Sequence, residues 1–248
     1  MIEPENVFSE KEVETDLFYA FDRIIHQSFY VINCAKKEFL QISENNTFFC
    51  GQSSQKIKEM NFHFFQQCIP SREQLLVKKI FKAITNLLVN CPPEKKKDYV
   101  FKCNLHIKNG EDEMFVCHTA TPVKLSKSGA VELMLCMTSL PLNKKVGYLE
   151  AYDGTTYWNY NFKANEWECA NSVELTSLDR KILYYAARGH NEKEIATKVN
   201  LSVSSIKAHK QMLFEQLEAK STQVAILTAM QCKILKLYFT IETINQRV

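Results

Sequence analysis

Ser204, Lys207, Ala208 and Gln211 are spaced three, one and three residues apart, so a helix would carry them on one side. Its other side would hold Ile206, Leu213 and Leu217, with His209 at the edge. The outward set is short and polar, carries one cation and has no large apolar group. Lysine and glutamine side chains can hydrogen-bond to base edges in a major groove, and an alanine methyl can touch that of thymine. Lys210 falls on the flank, where a phosphate would be met, and Ser205 and Asn191 are further candidates for phosphate contacts. Periodicity alone fits a solvated bundle face better.

Other chemistries find less support. Six glycines are too few for phosphate-cradling loops, and no G-x-x-x-x-G-K-[ST], G-x-S-x-G or H-E-x-x-H pattern occurs. Cys117 and His118 are neighbours on an expected strand, where they would point to opposite faces and form no dyad. Nine cysteines are scattered without a C-x-x-C pair, which points to reduced, buried thiols rather than a metal site. His63, His106 and His118 read as exposed or internally bonded side chains rather than haem ligands. No catalytic residue, metal or cofactor is expected.

The elements that would position the polar face are short. Leu178, Ile182, Leu183 and Ala186 give one helix ending near Gly189. Asn191 is placed to cap a second, with Ile195, Ala196 and Val199 inward, and Ser202 to cap the third after a tight turn at Asn200-Leu201. A short helix, a tight turn and a longer helix make the shape of a helix-turn-helix. Charge agrees: residues 173–248 hold 11 Lys+Arg against 7 Asp+Glu, while residues 1–140 hold 17 of each.

Upstream, residues 12–28 read as a helix with Val13, Leu17, Ala20, Phe21 and Ile24 as its apolar face. Strands are expected at 29–33, 38–42, 98–107, 113–125 and 130–137, short helices within 53–69, and a long helix over 72–90. This order predicts an α+β domain, a five-stranded antiparallel sheet with helices on one face. A ligand pocket there would be lined by Tyr30, Ile32, Phe101, Cys103, Leu105 and Cys117, residue types that any core also contains. Residues 141–172 pack seven large aromatics around Asp153-Gly154 and predict a connecting hairpin against the sheet domain or a second subunit. The acidic first thirty residues lack a signal-peptide pattern, and the apolar run at 130–140 is short and carries Glu132, so a cytoplasmic protein without membrane contact is expected.

Two resemblances extend this. Leu175-Thr176, Arg188-Gly189, Lys193-Glu194-Ile195-Ala196, Leu201-Ser202, Ile206-Lys207-Ala208-His209, Leu213 and Leu217 together resemble the C-terminal DNA-binding domain of LuxR/FixJ-type transcription regulators. The resemblance implies an all-α four-helix domain in which Lys207, Ala208 and Gln211 read bases. It also implies that a last helix, through Thr222, Val224, Ala225 and Thr228, supports a homodimer on a near-palindromic site. Three positions depart from the family: Asp179 stands for a glutamate, Gln211 for a frequent basic residue, and Glu218 for a glycine. Residues 12–140 resemble a PAS domain in element order, and the acidic pattern of a phosphorylatable receiver is missing. The expected organisation is therefore a PAS-like sensor and dimerisation domain at 1–140, an aromatic connecting segment at 141–172 and a helix-turn-helix domain at 173–248. Its expected role is that of a DNA-binding transcription regulator with a small-molecule signal as an option. Promoter DNA, a second copy and RNA polymerase are the expected partners. A protein-interaction scaffold whose helix-turn-helix has lost DNA is the alternative.

Overall fold

A computed structural model describes residues 10–49, 51–142, 145–169, 175–231 and Leu235. It divides into two compact units, 1–170 and 171–248.

In the first unit, α1 (Glu10–Ile24) leads to β1 (Ser28–Asn33) and β2 (Glu38–Ile42), then to α2 (Ser54–Met60), α3 (His63–Cys68), α4 (Ser71–Asn90) and the single turn α5 (Pro93–Lys96). Strands β3 (Val100–Asn109), β4 (Asp112–Leu125) and β5 (Val131–Ser139) follow, then β6 (Leu149–Tyr152), β7 (Tyr157–Asn161) and β8 (Glu166–Cys169). All eight strands form one antiparallel sheet in the order β2-β1-β5-β4-β3-β6-β7-β8.

The expected five strands are thus present as the first part of a larger sheet. Residues 149–169 are not a separate connector: β6 pairs with the free edge of β3, matching Phe101 to Ala151 and Cys103 to Leu149. Aromatic residues make this extension a part of the core. Trp158 and Trp167 pack against the main apolar cluster, and the Trp167 indole N–H donates to the Ala83 carbonyl of α4 at 3.4 Å. Asp153 shapes the β6–β7 turn by accepting from the backbone N–H groups of Thr155 and Thr156 and from the Trp158 indole.

One more expectation is corrected, and one short element is added. The charged run after Pro92-Pro93 contains α5, and its Lys96 is buried with Nζ donating to the Gly129 carbonyl at 2.8 Å. On α1 the side that packs lies about a quarter turn from the one expected. Phe18 is buried against Phe29, ring centroids 4.8 Å apart, while Leu17, Phe21 and Ile24 are 53%, 53% and 73% exposed. Periodicity finds an amphipathic helix but does not say which neighbour its stripe meets.

In the second unit, α6 (Ser177–Ala187), α7 (Glu192–Val199), α8 (Val203–Gln216) and α9 (Thr222–Gln231) enclose a core centred on Ile182, Leu183, Ile195, Ile206 and Leu213. Among the described residues no helix is long and apolar enough to cross a membrane.

Candidate nucleic-acid interface

Local chemistry fixes the start and stop of each helix that carries the surface. Thr176 caps α6 and exchanges bonds with Asp179; Asn191 caps α7 and does the same with Glu194. Ser202 caps α8, its hydroxyl accepting from the Ser205 N–H at 3.1 Å. The three helices stop alike. Gly189, Asn200 and Glu218 have φ of 85°, 55° and 50°, and the residue after each donates to a carbonyl five positions back: His190 to Tyr185, Leu201 to Ala196, Ala219 to Phe214.

Between these ends α8 presents two unlike sides. Ile206 and Leu213 are 0% and 1% exposed, whereas Ser204, Lys207, Ala208 and Gln211 all face solvent. The four therefore share one exposed strip. Gln211 bonds along the helix to Glu215 at 3.0 Å, and the hydroxyls of Ser204 and Ser205 each lie 2.8 Å from that of Ser202.

The expected phosphate contacts fare less well. Lys210 is not a free cation: its Nζ lies 2.9 Å from Glu192 Oε1 on α7, and its side chain is only 17% exposed. Lys207 stands 4.0 Å from the second Glu192 oxygen and keeps 66% exposure. The Lys210 ammonium, and after it that of Lys207, holds the Glu192 carboxyl below the usual carboxylate range. Asn191 Oδ1 already accepts from the N–H groups of Lys193 and Glu194. Ser205 is half-buried. In the sequence Glu192 suits the positive end of α7, and its pairing with Lys210 comes only from the crossing of α7 and α8.

The first unit holds a cavity of about 80 Å³ between the sheet and helices α3 and α4. Tyr30, Ile32, Phe101, Cys103 and Leu105 line it, as their outline on the sheet's covered face predicts. Cys117 does not. In the β3–β4 register Cys103 faces His118 and Asn104 faces Cys117, so Val116 and His118 point inward and Cys117 to the other face. His118 brings a polar group to a mainly apolar lining: Nε2 lies 2.5 Å from the Tyr30 hydroxyl. Burial lowers the His118 pKa to about 4 and raises that of Tyr30, so both are neutral at pH 7 and share one hydrogen bond, with the imidazole tautomer setting which of them donates. Burial also pushes the Cys103 and Cys136 thiols up, Cys136 to about 12, which leaves them protonated. Nearby, His106 is held by Glu73 of α4, with Nδ1 2.6 Å from one carboxylate oxygen and its backbone N–H 2.8 Å from the other. Among the described residues no group of three His, Cys, Asp or Glu could hold a metal.

Comparison with protein families matches residues 173–229 to the bacterial regulatory proteins of the luxR family. The second unit is a luxR-family helix-turn-helix domain. Comparison with curated proteins finds no match. Among solved structures, a phage VqmA–DPO complex aligns over 96% of this chain and 94% of its own at 14% identity and TM-score 0.34. A Vibrio cholerae VqmA dimer aligns over 94% and 93% at 12% identity and TM-score 0.29. A PAS domain from Colwellia psychrerythraea covers 52% of this chain and 97% of its own at 8% identity and TM-score 0.39.

Within the luxR-family domain the three departures now have structural content. Asp179, though shorter than glutamate, places Oδ1 3.4 Å from His209 Nδ1, so the carboxyl group of α6 still reaches the imidazole of α8. Gln211 is exposed on the outward strip, and Glu218 occupies a left-handed position. On α9 the residues expected at a dimer contact differ in exposure. Ala225 is 0% exposed inside the domain's own core, and Thr222, Val224 and Thr228 are half-buried. Gln223, Leu227 and Met230 form the exposed side instead, with Leu227 47% and Met230 41% accessible.

Proposed function

We propose that this chain is a sequence-specific DNA-binding transcription regulator of the bacterial cytoplasm, working as a homodimer and answering to a small molecule held in the first unit. The observation that carries the DNA reading is the two-sidedness of α8. Its apolar side is sealed in the luxR-family domain, and Ser204, Lys207, Ala208 and Gln211 remain as a smooth exposed strip. Lys207, Ala208 and Gln211 are assigned to base edges and Ser204 to the start of the strip. Two copies, meeting through the exposed side of α9, would read half-sites about one helical turn apart, on the order of 34 Å.

Two features support the remaining parts. The apolar stripe Leu17, Phe21 and Ile24 on α1 suits a second copy of the chain, and the cavity suits a small, mainly apolar ligand with one polar group near Tyr30 and His118. A ligand that favours one dimer geometry would alter the spacing of the two recognition helices and so the affinity, without changing a base contact.

The test is enrichment of genomic fragments by the native protein beside a Lys207→Ala/Gln211→Ala double variant. A shared near-palindromic motif should be enriched by the native protein and weakened on the order of 100-fold in the variant, since each good base contact contributes about 1–3 kcal/mol. Equal enrichment by both proteins would move base reading off this strip. Enrichment by neither, even at low salt, would favour the protein-interaction scaffold.

A further inference from the structure

Beside the base-reading strip stands an acid that the helix cap does not use. Glu192 opens α7, one position past its cap, yet the helix start is already closed by Asn191 and Glu194. Its two oxygens reach in the other direction, to Lys210 Nζ at 2.9 Å and towards Lys207 Nζ at 4.0 Å on α8. Lys207 and Lys210 are three residues apart, so they are neighbours on one helix surface. An open depression beside them is lined by Glu192, Lys207, Lys210, Gln211 and Phe214, and Glu192 is the one acid among its described lining residues.

A carboxylate between two ammonium groups takes up attraction that a DNA phosphate would otherwise use. To engage Lys210, a phosphate must displace the carboxylate or share the cation with it, and the carboxylate repels the phosphate meanwhile. Lys210 therefore adds little to the release of counter-ions that drives binding to any duplex. Lys207, farther from the acid and more exposed, remains available to a base edge.

We propose that Glu192 is a specificity-determining residue of the DNA surface: it cancels the phosphate attraction of Lys210 and part of that of Lys207, so that random duplex is held weakly and base contacts decide where the protein settles. This rests on the DNA-binding function proposed above. Binding to random sequence is almost wholly electrostatic, whereas binding to a preferred site adds base contacts in fixed geometry. Removing a countercharge therefore favours random duplex most, because there the protein can shift to use every free cation.

The experiment uses the full chain, native and as Glu192→Gln, Lys210→Gln and the double variant. Each is titrated from about 50 to 200 mM salt with a random-sequence duplex and with the duplex that the native protein enriches from a random pool. Glu192→Gln should bind the random duplex about tenfold more tightly at low salt, with a slope of log K against log salt steeper by about one. Its gain on the enriched duplex should be about threefold or less, and adding Lys210→Gln should abolish both gains. If Glu192 only ties α7 to α8, the two single variants lose DNA affinity together and the slope does not steepen, which overturns the proposal. An equal gain on both duplexes also overturns it, because discrimination would be unchanged. Native binding with an unaltered Glu192→Gln variant sinks this role alone, whereas absence of binding by every variant sinks the DNA-binding reading beneath it.

Discussion

Each unit contains one polar pair beside its candidate site, and the surroundings of the two pairs give them different work. In the luxR-family domain Glu192 and Lys210 meet at the edge of solvent, 33% and 17% exposed. Water and salt screen such a pair, so it contributes little to stability, but its charges lie where DNA would approach and there they count in full. In the first unit Tyr30 and His118 meet inside an apolar cavity. Neither carries charge at neutral pH, and each satisfies the other's hydrogen bond away from bulk water. The surface pair tunes a field; the interior pair holds a shape. A titration or a substitution should therefore register as stability in the first unit and as binding in the second.

Acid gives the largest expected effect. His118 has its pKa lowered from 6.5 to about 4 in the folded state, so between those values the unfolded chain binds the extra proton. The stability that neutral His118 allows is present above pH 6.5 and is lost as pH falls towards 4, on the order of 3 kcal/mol over that window. Thermal unfolding followed from pH 7.5 to 4 should show this loss in the first unit. His118→Gln should flatten the curve across the window, and an unchanged slope in that variant would place the acid sensitivity elsewhere.

Tyr30→Phe should come next. The ring stays, but His118 Nε2 loses its 2.5 Å partner inside the cavity. Leaving such a buried polar group unsatisfied costs about 1–3 kcal/mol, visible as a lower midpoint in urea for the first unit. DNA binding by the luxR-family domain should be unaffected at a temperature where the first unit of the variant is still folded, because Tyr30 lies in the other unit. A matching loss of DNA affinity in unliganded protein would break the division of labour drawn here.

Glu218→Gly should give the smallest change, and in the favourable direction. Glu218 has φ of 50° after α8 and is exposed, so its side chain is strained without packing in return. Glycine there should stabilise the luxR-family domain by about 1 kcal/mol, read as a raised midpoint for that unit alone. Asn200→Gly should gain less, since asparagine tolerates the same conformation. A loss of stability in Glu218→Gly would mean that the glutamate side chain makes a contact worth more than the strain.

Expectation and structure part company at positions where a distant segment had to arrive. Cys117 was assigned to the cavity, and its neighbour His118 lines it instead, because a strand turns successive side chains to opposite faces and a shift of one residue exchanges them all. Ala225 was assigned to a dimer contact and lies in the core, since a short helix packed on two sides leaves few outward positions. The aromatic segment was seen as apolar enough to pack, but its partner, the edge of β3, lies more than forty residues earlier in the chain.

What the sequence determined by itself is local. The caps Thr176, Asn191 and Ser202, the stops at Gly189 and Asn200, and the polar strip of α8 all follow from residues within one or two turns of each other. Such short-range hydrogen bonds and steric preferences act before any tertiary contact forms. The tertiary structure alone decided that Glu192 meets Lys210 across 18 residues and that Tyr30 meets His118 across 88. Those meetings depend on helix crossing and strand register, which are set by packing of the whole unit rather than by the residues that come together.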